Sequence, residues 1–109
     1  MEEALIHESE FPFHLVPPGV PVICDMSSDI GSRPVDWSKY GMVYAGAQKN
    51  LGTAGCTVVI VRKDLIGNQA ADTPMLLDWS LFDKSPNSYF NTPACYPIYV
   101  TGLNLAHMI

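Results

Sequence analysis

Val20-Pro21-Val22-Ile23-Cys24, followed at once by Asp25, is the stretch on which the fold turns. It is apolar throughout and rich in β-branched residues, the pattern of a strand buried on both faces in a parallel sheet. Pro21 is tolerated because it stands among the first residues of the strand. Asp25 then lies at the strand's carboxyl end. Downstream, Gly41-Met42-Val43-Tyr44-Ala45 reads as a second strand. Thr57-Val58-Val59-Ile60-Val61 reads as a third and is the strongest strand signal in the chain. Upstream, Pro12, Pro17, Pro18 and Gly19 mark a connection that ends in a turn. Residues 26–40 are polar, with room for a short helical turn around Asp36–Lys39, and residues 63–90 alternate short helical and irregular pieces. From about Pro97 to Ile109, Tyr99, Leu103 and Ala106 recur near helical spacing, opposite Thr101, Asn104 and His107.

The whole chain has 109 residues, enough for one small domain or a piece of a larger one. With 48% hydrophobic and 16% charged residues it is not composed like a disordered chain. A formal charge of −5 argues against a nucleic-acid surface, which needs clustered Lys and Arg. No apolar run approaches a bilayer span, and Met1-Glu2-Glu3-Ala4 does not look like a secretory signal, so the expectation is a cytoplasmic protein with neither membrane nor nucleic-acid partners. The end Ala106-His107-Met108-Ile109 carries no helix stop signal, and three strands with one helix cannot cover both faces of a parallel sheet. Residues 1–109 are therefore expected to be a fragment of a larger α/β domain.

Several familiar chemistries can be set aside. Cys24, Cys56 and Cys95 are widely spaced and odd in number, so neither a disulfide framework nor a zinc knuckle is expected; Cys24 and Cys56 read as small core residues. Asp25-Met26-Ser27-Ser28-Asp29-Ile30-Gly31 hints at a calcium loop, but Ile30 stands where such a loop needs glycine. Lys49 is followed by Asn50, which fails the phosphate-loop pattern. His7 and His14 are not at ligand spacing, and no metal site is expected.

Asp25 and Lys49 are the more suggestive pair. One ends a strand; the other lies in a loop bounded by Gly46, Gly52 and Gly55, just past the next strand. Ligands of open α/β sheets gather outside the carboxyl ends of the strands. A lysine there can form a Schiff base with an aldehyde cofactor, and a carboxylate can pair with a protonated pyridine nitrogen. Spacing alone also suits an ordinary solvated lysine and a strand-terminal Asp that caps backbone.

The local words carry more. Cys24-Asp25-Met26-Ser27-Ser28, Ser32-Arg33-Pro34-Val35-Asp36, Tyr44-Ala45-Gly46-Ala47-Gln48-Lys49-Asn50-Leu51-Gly52, Ala54-Gly55 and Thr57–Arg62 closely resemble the phosphoserine aminotransferases, and Asn91-Thr92-Pro93 and Ile98–Leu105 continue the likeness in the same order. The resemblance implies an α/β fold, a partial and mostly parallel sheet from the large domain of a fold-type I pyridoxal-phosphate transferase. It implies that Lys49 forms the Schiff base with pyridoxal 5'-phosphate and shuttles the proton, that Asp25 pairs with the pyridinium nitrogen, and that Gln48 donates to the cofactor phosphate. Asn91 and Thr92 would reach across a homodimer to the partner's cofactor phosphate; locally they also read as a turn and a helix N-cap with Pro93 at the first helical position. The implied reaction moves an amino group from glutamate to 3-phosphohydroxypyruvate on the route to serine.

The resemblance has gaps. Leu5 falls where the family has a threonine that touches the cofactor, and Glu8 replaces a turn glycine. Leucine cannot make that hydrogen bond. The aromatic residue stacked on the cofactor, the glycine-rich phosphate loop, the substrate-binding Arg and His residues and the small C-terminal domain have no counterpart in this chain. The isolated fragment is therefore expected to have little or no transaminase activity. The alternatives are a catalytically inert dimerisation partner, a piece of another class V aminotransferase or lyase, and a misassigned coding fragment with no folded state.

Overall fold

The computed structural model describes residues 16–86 and 89–108. Strands β1 (Ile23–Asp25), β2 (Met42–Gly46) and β3 (Thr57–Val61) form one sheet in that order. β1 and β2 run parallel, Asp25 opposite Tyr44; β2 and β3 run antiparallel, Gly46 opposite Thr57. The direction of β3 follows from its connection: residues 47–56 close a hairpin, whereas a parallel return needs a crossover of about a dozen residues or more. Single-turn 3-10 helices begin at Trp37, Lys63 and Met75, and the α-helices α1 (Trp79–Lys84) and α2 (Cys95–Met108) follow.

β1 is shorter than its apolar run. Pro21 lacks an N–H, and regular pairing begins only at Ile23. Ile23 is 63% exposed, so this strand is not buried on both faces; among the described residues it has a neighbour on one side only. The core lies under one face of β2. Val43 and Ala45 point into it, and Met26 and Ile30 from the turn after β1 and Ala47 and Leu51 from the loop after β2 complete it. Cys24 and Cys56 are half-buried against this cluster, as small apolar residues. Alternate residues face the other way, and Tyr44 is exposed beside Asp25. Asp29, almost buried, accepts a bond from Arg33, which pins the turn after β1.

α2 begins at Cys95, two residues before Pro97. A proline in the first helical turn is harmless because no helical acceptor awaits its N–H. The Ala94 carbonyl takes the first helical bond, from Ile98, so the expected cap at Thr92 with Pro93 inside the helix is corrected: both precede it. The packed face is also the reverse of the apolar spacing. Tyr99 and Leu103 are exposed, whereas Thr101 is buried. Pro97, Val100 and Thr101 form the inward stripe and meet the backbone at Gly55 and Gly52, while the tip of Met108, itself exposed, reaches Gly31.

Candidate functional site

β1 and β2 are parallel, so their carboxyl ends lie side by side, and each releases the chain into a turn there. The ladder continues one step past β1, with the Met26 N–H on the Tyr44 carbonyl at 2.9 Å. Asp25 is thereby exposed at the mouth of the sheet while Met26 is buried as the anchor of the turn. The loop after β2 is built in the same way. Ala47 and Leu51 are buried, and Gln48, Lys49 and Asn50 stand exposed between them. The Ala47 N–H bonds the Cys56 carbonyl at 2.9 Å, and Asn50 Nδ2 donates to the Ile30 carbonyl at 3.3 Å, which fastens the loop to the hairpin on one side and to the first turn on the other.

Two serines near these anchors hold the two candidate groups, Asp25 and Lys49. The Ser27 N–H and hydroxyl both donate to Asp25 Oδ1, at 2.9 and 2.5 Å. Lys49 Nζ donates to Ser28 Oγ at 2.7 Å. The Asp25 carboxyl is held below its ordinary value of 3.8, mostly by the two Ser27 bonds, with smaller help from Tyr44 and from the Lys49 charge. The Asp25 charge in turn raises the Tyr44 phenol. An ionised carboxylate and an amine thus face the same opening, each held by a neighbouring serine.

The structure brings together Asp25, Gln48 and Lys49. A Cβ built on Gly46 would sit 2.5 Å from Gln48 Oε1, so the Gln48 amide folds back over the end of β2. Asn91 and Thr92 are exposed on the segment before α2, and no hydrogen bond among the described residues joins them to the other three. Leu5, Glu8, His7 and His14 lie outside the described residues. Ser27 and Ser28 were not legible as site residues, although Asp followed by Ser two positions later is a known turn signal. A groove of about 740 Å³ between β3 and α1 is lined by Val59, Trp79 and Phe82 and contains none of the expected site residues.

A family profile described as Aminotransferase class-V matches residues 13–108, almost the whole chain. The chain belongs to the class-V aminotransferase family. Among named members, a phosphoserine aminotransferase of Drosophila melanogaster is 57% identical over 88 residues, covering 81% of this chain and 24% of its own length. A solved phosphoserine aminotransferase of Bacillus circulans subsp. alkalophilus superposes with a TM-score of 0.76 at 49% identity, covering 83% of this chain and 25% of that one. A PLP-bound phosphoserine aminotransferase of Trichomonas vaginalis gives 0.75 at 36% identity, over 86% of this chain and 26% of that one. The α/β sheet is thus that of the solved aminotransferases. The chain spans about a quarter of the length of the relatives it matches.

Proposed function

We propose that the chain is the lysine-bearing piece of the large domain of a pyridoxal-phosphate-dependent phosphoserine aminotransferase, within which an amino group passes from glutamate to 3-phosphohydroxypyruvate to give phosphoserine and 2-oxoglutarate. The observation that carries this reading is the meeting of Asp25 and Lys49 at the ends of adjacent parallel strands, with the Asp25 carboxyl held ionised by Ser27. The relatives' names support the reaction, and the PLP in the Trichomonas protein supports the cofactor.

These residues fit the cofactor chemically. When bound, pyridoxal phosphate supplies an aldehyde for an amine and a ring that takes up electrons. Lys49 is the nucleophilic amine and the base at the substrate α-carbon. Asp25 offers the anion that a cationic ring nitrogen needs. Gln48, exposed beside Lys49, has amide protons for a phosphate oxygen. Asn91 and Thr92 are exposed and apart from these three, which suits donors that serve the cofactor of a second copy across a homodimer. Among the described residues no helix is long and apolar enough to cross a membrane, and the cytosol is the compartment we assign.

The test is site-resolved. The 109-residue chain is incubated with pyridoxal phosphate and reduced with borohydride, and the modified lysine is mapped by mass spectrometry. Selective labelling of Lys49 over Lys39, Lys63 and Lys84, weakened by Asp25→Ala, is the expected result. Labelling spread evenly over the four lysines would sink the reading for this chain.

A further inference from the structure

The turn that holds Asp25 occurs three times among the described residues, and one copy differs from the others. Asp25-Met26-Ser27, Asp36-Trp37-Ser38 and Asp78-Trp79-Ser80 each place a Ser N–H on the Asp Oδ1, at 2.9, 3.2 and 2.8 Å. Two copies have a plain structural duty. Asp36 caps the 3-10 turn Trp37–Lys39, and Asp78 caps α1. No assigned helix begins after Asp25; that copy instead opens a single turn, in which the Asp29 and Ile30 N–H groups bond the Met26 carbonyl.

Its serine differs in a second way. Ser27 Oγ, while donating to Asp25, accepts the Gly46 N–H at 2.9 Å from the end of the neighbouring strand. A serine hydroxyl has one proton and two lone pairs. The Gly46 N–H fills a lone pair and leaves the proton for the carboxylate. The chain Gly46 N–H, Ser27 O–H, Asp25 Oδ1 runs one way, and each bond in such a row polarises the next. The hydroxyl of Ser38 donates to Asp36 in the same manner, at 2.6 Å, but takes no bond from another strand.

We propose that Ser27 is a positioning residue, its hydroxyl set by the Gly46 N–H so that it aims the Asp25 carboxylate for a cationic ring nitrogen. The inference rests on the cofactor reading above only in its last clause; the aiming of Asp25 is a property of this chain by itself. The other polar and charged groups that face Asp25 are Tyr44 from β2 and Lys49 from the loop beyond it, both unchanged by substitution at Ser27. The direction of the Asp25 shift, with Ser27 as its largest cause, agrees with this role.

The experiment follows the carboxyl carbons of the 109-residue chain by NMR across an acid titration. In Ser27→Ala the Asp25 midpoint rises towards the ordinary carboxylate value, while the Asp36 midpoint stays in place. Ser27→Thr, which keeps the hydroxyl, returns Asp25 to its original midpoint. Ser38→Ala moves Asp36 and leaves Asp25 alone. Should the alanine variant not fold, Ser27→Cys, a poorer donor of similar shape, produces a smaller rise in the same direction. An Asp25 midpoint that does not move in Ser27→Ala or Ser27→Cys overturns the proposal, as does a rise that Ser27→Thr fails to reverse. Borohydride labelling run alongside separates the two claims. If Lys49 is not selected in the unmodified chain, the cofactor reading fails whatever Ser27 does. If it is selected, Ser27→Ala lowers that selectivity about ten-fold, the lower end of the scale of one hydrogen bond to a charged group, and unaltered selectivity counts against the aiming role.

Discussion

Gly52 and Val100 meet without room for a methyl group: a Cβ on Gly52 would lie 3.0 Å from Val100 Cγ1, inside the ordinary contact distance of about 3.5–4.0 Å. The contact seats the loop that carries Lys49 against α2. Gly52 also has φ +147°, a region essentially closed to other residues. Gly52→Ala is expected to cost about 2–3 kcal/mol, strain and collision together. Gly67→Ala is the control, with φ +86° but nothing within 4 Å, and should cost about 1 kcal/mol. Urea midpoints of the two variants measure the difference.

Thr101 packs in the same place. It is 4% exposed, and its buried hydroxyl has no hydrogen-bond partner among the described residues. Desolvating a hydroxyl with no return is unfavourable, and valine has nearly the same shape. Thr101→Val should therefore stabilise the chain by about 1 kcal/mol, raising the urea midpoint.

Gly46→Ala should separate fold from site. The new methyl would collide with Gln48 Oε1, the far end of a flexible side chain, and its three nearest atoms all belong to that side chain. Stability is expected to change by less than about 1 kcal/mol, because the loss of backbone freedom in the unfolded chain offsets any local adjustment. The Gln48 side-chain amide signals should shift in NMR spectra, and labelling of Lys49 by pyridoxal phosphate should weaken if Gln48 holds the phosphate.

Acid should unfold the chain through its turns. Asp25, Asp36 and Asp78 are each held below 3.8, mainly by the serine two residues on, and Asp64 by Arg62. A carboxyl whose folded value is depressed adds stability that is present above the unfolded value and is lost as pH falls through the folded one. The urea midpoint should hold steady down to about pH 5 and then drop as the medium passes below the ordinary carboxylate range. Replacing Ser38 by alanine should make the drop shallower, because Asp36 then gains less on folding.

Much of this was readable in the residues. Thr57–Val61 is a strand at both of its expected ends, since an unbroken β-branched run offers no other conformation equal footing. β2 is displaced by one residue, from 41–45 to Met42–Gly46. The direction of β3 was hidden, because apolar runs look alike in parallel and antiparallel sheets; the length of residues 47–56 was the usable signal. The face of α2 was misread because Tyr99 and Leu103 outrank Thr101 in hydrophobicity, whereas close approach to Gly52 selects small residues. Asp25 and Lys49 could be paired by their places at strand ends. Ser27 could not, since its second bond comes from Gly46, nineteen residues away.

The mixed sheet also rests on two chain closures of unequal length. β2 and β3 are joined by residues 47–56 alone, so their pairing closes a short loop, whereas β1 and β2 are joined by the longer crossover from residue 26 to residue 41. Shorter closures cost less entropy. The loop that carries Lys49 therefore belongs to the less costly closure, and the carboxylate of Asp25 reaches it through the more costly one.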